Sequence, residues 1–106
     1  MISQEQAGDA IRFLASTDDE AAIKKRAMLA AEYVMKRTKA HEFLNAKGAQ
    51  GERNNIAECS SAYQEKVKLY TDAFCEFEAI RNKRATAEIQ FEAWRSLNAN
   101  RRQAGG

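Results

Sequence analysis

An apolar repeat with steps of three, four and seven residues runs through the second half of this 106-residue chain. Such steps place apolar side chains along one side of a helix that packs against another helix. The chain contains no proline, which would interrupt a long helix. The repeat therefore predicts one long helix with a continuous apolar seam. Its members are Tyr63, Tyr70, Ala73, Phe77, Ile80, Ala87, Phe91 and Trp94.

Three polar patterns mark the predicted beginnings of helices. In a capping box, a serine or threonine and a glutamine or glutamate three residues later bind each other's free backbone amides. The pattern occurs at Ser3 with Gln6, Thr17 with Glu20, and Ser61 with Gln64. We predict helices over about residues 4–15, 18–47 and 62–99. Gly48 is expected in a left-handed conformation at the end of the second helix.

These elements predict an all-α fold in a single helical domain of residues 1–106. A short N-terminal helix precedes a long antiparallel two-helix hairpin that resembles a coiled coil. We expect no more than one loose helical turn in residues 52–59, and disorder in residues 103–106. No stretch has the period-two alternation of apolar residues that is typical of a strand.

A two-helix hairpin has little interior, and one short extra helix cannot cover both of its sides. The large apolar side chains of the last helix need more cover than one chain offers, so we expect a homo-oligomer. The candidate oligomer seam comprises Tyr70, Phe74, Phe77, Phe91, Trp94 and Leu97.

A basic belt is predicted where the two long helices pair. If the turn is centred near residue 54, the basic segment at residues 24–26 lies beside the basic segment at residues 81–84. The six bases are Lys24, Lys25, Arg26, Arg81, Lys83 and Arg84. Two interpretations remain open: an anion site for a nucleotide or a DNA backbone, or a solvated face whose bases pair with nearby carboxylates.

The C-terminal stretch combines Trp94 with Arg95, Arg101 and Arg102. Arginines beside an aromatic ring suit phosphates and stacked bases. The same bases also fit a solvated helix end, where cations are favourable near the negative end of the helix dipole. The sequence pI of about 8.6 is below the value near 9 that is typical of dedicated nucleic-acid domains. Both interpretations therefore stay open.

No constellation of residues predicts catalysis. Cys59 and Cys75 have no CxxC spacing and are expected as reduced, small buried side chains. His41 lacks a second histidine and is expected as a packing or surface residue, not as a metal ligand. We predict no enzymatic activity, no cofactor and no metal. No apolar run is long enough for a membrane span.

Part of the chain resembles small helical proteins encoded by tailed phages and prophages. The resemblance rests on residues 81–84, Ala87 with Glu88, Glu92 and residues 94–102, and is weaker through Glu32 with Tyr33 and residues 51–53. It covers about three quarters of the chain. The resemblance implies a phage origin, a bacterial cytoplasm, and a role in phage DNA metabolism or host takeover.

The leading hypothesis is a non-enzymatic, oligomeric helical protein that acts by binding, in phage replication, recombination or host takeover. Its partners are then further copies of itself and a host or phage protein. The alternative is direct binding of DNA, RNA or a nucleotide through the basic belt and the arginine-rich helix end.

Overall fold

The computed structural model describes residues 1–105. They form three helices: α1, Gln4–Asn45; α2, Gln50–Cys59; and α3, Ser61–Gly105. None of the described residues belongs to a strand. The predicted all-α class with two long helices is confirmed.

The predicted interruption between residues 15 and 18 is wrong, because α1 continues through it. The capping box at the start of α1 is present: Ser3 N donates to Gln6 Oε1 at 2.9 Å, and Gln6 N donates to Ser3 Oγ at 3.1 Å. Thr17 instead lies inside the helix, where its hydroxyl donates to the Phe13 carbonyl oxygen at 2.7 Å. A threonine that finds a partner one turn back in this way is tolerated within a helix.

The helix α1 ends at Asn45, two residues before the end predicted at residue 47. Gly48 has a φ of 121°, a backbone conformation that residues other than glycine rarely adopt, so the expected positive φ is confirmed. The next ten residues form α2, so the prediction of one loose turn is wrong. Arg53 fixes α2 on the end of α1, because its Nε donates to the Phe43 carbonyl oxygen at 3.2 Å and its guanidinium lies 4.3 Å from the Phe43 ring centre.

The predicted cap of the last helix at Ser61 is wrong, because α3 begins at Ser61 and Ser60 caps it. Ser60 has extended backbone angles, and its Oγ accepts a hydrogen bond from Tyr63 N at 3.2 Å. The helix continues past the predicted residue 99 to Gly105. The prediction of disorder is therefore wrong for residues 103–105, and Gly106 lies outside the described residues.

The chain divides into two compact units, and each contains a segment of both long helices. Unit 1 consists of Met1–Ala22 and α3 from Glu78 onward. Its helices are antiparallel, since Met1 contacts Arg101 and Thr17 contacts Arg84. Small side chains dominate the core of unit 1 and allow a close approach of its helices. The buried residues of this unit are Ala7, Ala10, Thr17, Ile80 and Ala87.

Unit 2 is Ile23–Phe77 and includes α2. Its long segments are also antiparallel: Lys24 pairs with Glu76, and the Lys39 ammonium lies 5.9 Å from the Tyr63 ring centre. Lys39 also pairs with Glu58 of α2 at 3.1 Å. Only Met28 and Ala57 are buried hydrophobic residues in this unit. The core of unit 2 is therefore thin.

Candidate functional site

A groove in unit 1 is lined by the aromatic and basic side chains that were predicted as a candidate site in the C-terminal stretch. It has a volume of about 470 Å³ and lies between the first residue of α1 and the last turns of α3. Positions four and seven or eight residues apart share one face of a helix, so α3 directs these side chains into one concavity. We name it the Arg–Trp groove. Its lining residues are Gln4, Trp94, Arg95, Asn98, Arg101 and Arg102.

The three arginines of the Arg–Trp groove differ in their partners. Arg95 pairs with Glu92 of its own helix at 3.6 Å. Arg101 Nη2 lies 3.5 Å from Met1 Sδ, and a thioether is only a weak acceptor. Among residues 1–105, no carboxylate lies within 4.0 Å of Arg101 or Arg102. Both guanidinium groups are exposed and keep donors for an anionic ligand.

The groove also has an aromatic wall. Trp94 is half-buried, and its ring centre lies 6.2 Å from that of Phe91 at an interplanar angle of 26°. Trp94 also borders a second hollow of about 640 Å³ on the first turns of α1, beside Ala7 and Gly8. The indole therefore keeps surface that its own chain does not cover.

Asn98 contributes an amide without a partner. Its Nδ2 is shielded from solvent and forms no hydrogen bond with any described residue. Buried polar groups are nearly always paired, so each exception needs an explanation. Sequence reasoning named the Asn98 segment but did not single out Asn98 or Gln4. Residues ninety positions apart in the chain give no local signal that they share a groove.

The second basic segment, at residues 81–84, is largely engaged within unit 1. Arg84 Nη1 donates to the Leu14 carbonyl oxygen and to Thr17 Oγ1, each at 2.7 Å, and Nη2 donates to Asp18. Arg81 pairs with Glu78 at 2.8 Å, whereas Lys83 is exposed. Arg84 thus holds α3 to α1 and is not free to bind an anion.

The first basic segment, at residues 24–26, lies in unit 2. Lys24 pairs with Glu76 at 3.2 Å, while Lys25 and Arg26 are exposed. The predicted pairing register is therefore wrong: Lys24 lies opposite Glu76 and Arg84 lies opposite Asp18. The midpoints of these two pairs fall at residues 50 and 51, three to four residues before the predicted centre of the turn near residue 54.

The candidate oligomer seam on α3 is only partly covered. Tyr70 and Phe77 are half-buried in unit 2, and Phe74 is 41% exposed. The Tyr70 and Phe74 rings lie 6.0 Å apart at 55°. In unit 1, Phe91, Trp94 and Leu97 are each half-buried. None of the six has the full burial of a core side chain.

A second apolar surface in unit 2 was missed by sequence reasoning. On α1, Leu29 and Tyr33 are 51% and 65% exposed, and Leu44 is 72% exposed. With the exposed Ala40 they follow one another at steps of four, seven and four, which places them on one side of the helix. We name this set the α1 stripe.

A polar cluster in unit 2 joins Glu32 and Tyr70. Lys36 Nζ donates to Glu32 Oε1 at 3.0 Å. Hydrogen bonding from Lys36, then from Tyr70, holds the pKa of Glu32 below its ordinary value of 4.5. Desolvation, followed by the hydrogen bond to Glu32, raises the pKa of Tyr70. The cluster stabilises an anion on Glu32 at neutral pH.

The cysteines and the histidine lie on the surface. Cys59 and Cys75 are both exposed, so the prediction of buried cysteines is wrong. His41 is exposed and shares a hydrogen bond of 3.0 Å with Asn45. Nowhere in the described part of the chain do three or more histidine, cysteine or carboxylate side chains converge as they would around a metal ion.

Comparison of the chain with protein-family models, with curated proteins and with solved structures found no match. None of the helices formed by residues 1–105 combines the length and the apolarity needed to cross a lipid bilayer.

Proposed function

We propose that this protein acts by binding, without catalysis, and that it associates with a second copy of itself through the apolar surface of unit 2. The observation that carries the proposal is the contrast between the core and the surface of this unit. Two hydrophobic residues are buried, whereas the α1 stripe and Phe74 face solvent. Exposed apolar patches of this kind are typical of protein–protein contacts.

The spacing of the α1 stripe supports a helical partner. Steps of four and seven residues present a straight apolar row, which suits the seam between two helices. Covering one side chain the size of leucine contributes about 1.5–3 kcal/mol. Three large side chains of the stripe together offer enough to offset part of the entropy cost of association.

The proposed setting is the cytoplasm of a bacterium that carries a tailed phage or prophage. Support comes from the resemblance to small phage-encoded helical proteins, which rests on residues 81–84, Ala87 with Glu88, Glu92 and residues 94–102. A self-associating helical protein would there serve phage replication, recombination or host takeover, in contact with a host or phage protein.

Sedimentation velocity over a hundredfold range of concentration tests self-association. We expect a dimer or larger species that dissociates on dilution. The double variant Leu29→Ser, Tyr33→Ser should raise the dissociation constant at least about tenfold, because it removes two exposed apolar side chains. These positions lie outside the core, so the helical circular dichroism should not change.

The matched control is Lys68→Ser with Asp72→Ser, two exposed α3 residues at the same spacing of four. This variant should associate like the unmodified chain. A strict monomer at the highest concentration would refute the proposal. Equal weakening by both double variants would refute the role of the α1 stripe.

A further inference from the structure

We propose that the Arg–Trp groove binds a nucleoside phosphate, with the base against Trp94 and the phosphate on Arg101 and Arg102. The groove belongs to unit 1, whereas the proposed self-association uses unit 2. The two proposals therefore rest on separate residues, and either can fail alone.

The phosphate end follows from the free guanidinium groups. Arg101 and Arg102 are adjacent, exposed and without a carboxylate within 4.0 Å in residues 1–105. A guanidinium offers several fixed donors and binds phosphate oxygens through two parallel hydrogen bonds. Arg95 adds positive charge, although Glu92 shares it. An anion in the groove would thus meet two guanidinium groups that no carboxylate of residues 1–105 pairs with.

The base end follows from the tryptophan. A half-exposed indole at the edge of a cationic groove offers a flat surface on which any nucleobase can stack. The arginines beside it add a second planar group that packs on rings. The volume of about 470 Å³ lies within the range of roughly 300–1,000 Å³ that is usual for small-ligand sites.

Two amide side chains can form hydrogen bonds with the edge of a base that is stacked on Trp94. Asn98 Nδ2 has no acceptor among residues 1–105, and leaving a donor unpaired is unfavourable. Rotation of the amide toward the groove would pair it with a ring nitrogen or carbonyl oxygen of the ligand. Gln4, across the groove on α1, carries a second amide with both a donor and an acceptor. An inorganic anion would satisfy the arginines but would leave both amides and the indole without contacts.

A base that carries a phosphate occurs in free nucleotides and in single-stranded nucleic acid. Both sources share the chemistry that the groove recognises. A duplex hides its base faces in the stack and does not offer them to Trp94. Two probes separate the sources: adenosine monophosphate, and single-stranded oligothymidylate of about ten nucleotides, a length within the usual range for such sites.

Trp94 reports binding directly, because it is the only tryptophan of the chain. Titration with either probe at low salt should quench its fluorescence to saturation, and the affinity should fall as salt is raised. If both probes bind equally tightly, the ligand is a free nucleotide. If only oligothymidylate binds, the ligand is single-stranded nucleic acid. Absence of quenching by both probes overturns the proposal.

Variants distinguish binding in a specific site from nonspecific electrostatic attraction. Arg101→Gln with Arg102→Gln should weaken binding at least about tenfold, and Asn98→Ala should weaken it without changing the salt dependence. Lys47→Gln with Lys68→Gln removes the same charge from exposed positions of unit 2 and should have little effect. Equal weakening by the two double variants overturns the proposal.

The stacking step has its own test, read by the anisotropy of a labelled oligothymidylate or nucleotide. Trp94→Ala should weaken binding at least about tenfold, and Trp94→Phe should retain most of it. Phe keeps the packing of the half-buried position, so it separates loss of stacking from loss of structure. Unchanged affinity in a folded Trp94→Ala variant overturns the placement of the base.

Discussion

Arg84 Nη1 of α3 donates a hydrogen bond to the Thr17 hydroxyl of α1 at 2.7 Å. The Thr17 hydroxyl in turn donates to the Phe13 carbonyl oxygen, also at 2.7 Å. Thr17 is buried, and the Arg84 side chain is only 18% exposed. This chain of hydrogen bonds connects the two helices of unit 1 at a point where the core consists mainly of alanine. We expect it to contribute more to stability than the exposed ion pairs do.

Replacing Arg84 by lysine should lower the free energy of unfolding by about 1–2 kcal/mol. Lysine keeps the charge but cannot reach the Leu14 carbonyl oxygen, Thr17 and Asp18 together with one planar group. Urea unfolding followed by circular dichroism measures the change. Arg81→Lys is the control, since the polar partner of Arg81 in the described part of the chain is Glu78 on its own helix, and its cost should stay below about 0.5 kcal/mol. Equal costs for the two variants would exclude the proposed role of Arg84.

The class of the fold could be predicted from the sequence because helical spacing and the absence of proline are properties of the chain alone. The sequence could not predict that α1 continues without a break. Thr17 with Glu20 matches the same capping pattern as Ser3 with Gln6, yet only the latter pair caps a helix. Thr17 instead bonds back to the Phe13 carbonyl oxygen and accepts a hydrogen bond from Arg84, 67 residues later, a contact that no local pattern reveals. A capping pattern alone therefore does not determine where a helix begins.

Both thiols should react with a disulfide reagent such as Ellman's reagent in the native protein, without denaturant. Cys59 and Cys75 are exposed, and access controls such reactions when the thiol is not buried. The release of two equivalents of chromophore per chain measures this. Cys75→Ser should reduce the release to one equivalent and change stability by less than about 0.5 kcal/mol. A protected thiol would show that Cys59 or Cys75 is covered in solution.

At the candidate site, too, the sequence predicts the residue types on one helix but not their contacts with distant residues. The sequence favours Arg101 and Arg102 as candidate ligand residues, because they follow Trp94 on the same predicted helix. Which side chains of residues 1–105 lie within reach of them depends on the register between α1 and α3, and only contacts between distant residues reveal it. For Arg84 and Lys24 the same uncertainty led to a wrong prediction, because Asp18 and Glu76 lie opposite them.

Replacement by alanine should change the stability of the protein in opposite directions at Gly48, just before α2, and at Gly51, in its first turn. Gly48→Ala should destabilise the protein by roughly 1–2 kcal/mol, because alanine is strained at a φ of 121° and its Cβ would meet the Glu52 carboxylate. Gly51 is helical, and a Cβ there has open space, so Gly51→Ala should stabilise by about 0.5–1 kcal/mol. Thermal unfolding of both variants compares them. Stabilisation by Gly48→Ala would contradict the observed turn.

Stability should decrease on acidification, in part through Glu32. Hydrogen bonding from Lys36 and Tyr70 holds the pKa of Glu32 below 4.5 in the folded chain. Since a depressed pKa means that the unfolded chain binds the proton more readily, this contribution is present above pH 4.5. It is lost as the pH falls from there through the lowered pKa.

Tyr70→Phe removes one donor to Glu32, so the pKa of Glu32 should move back toward 4.5 and the loss of stability on acidification should become smaller. Carboxyl-carbon NMR measures the pKa, and urea unfolding between pH 3 and 6 measures the slope. Tyr33→Phe is the control, because Tyr33 is exposed and is not among the residues that lower the pKa of Glu32, so it should leave both unchanged. An unaltered pKa of Glu32 in Tyr70→Phe would show that Lys36 alone stabilises the carboxylate.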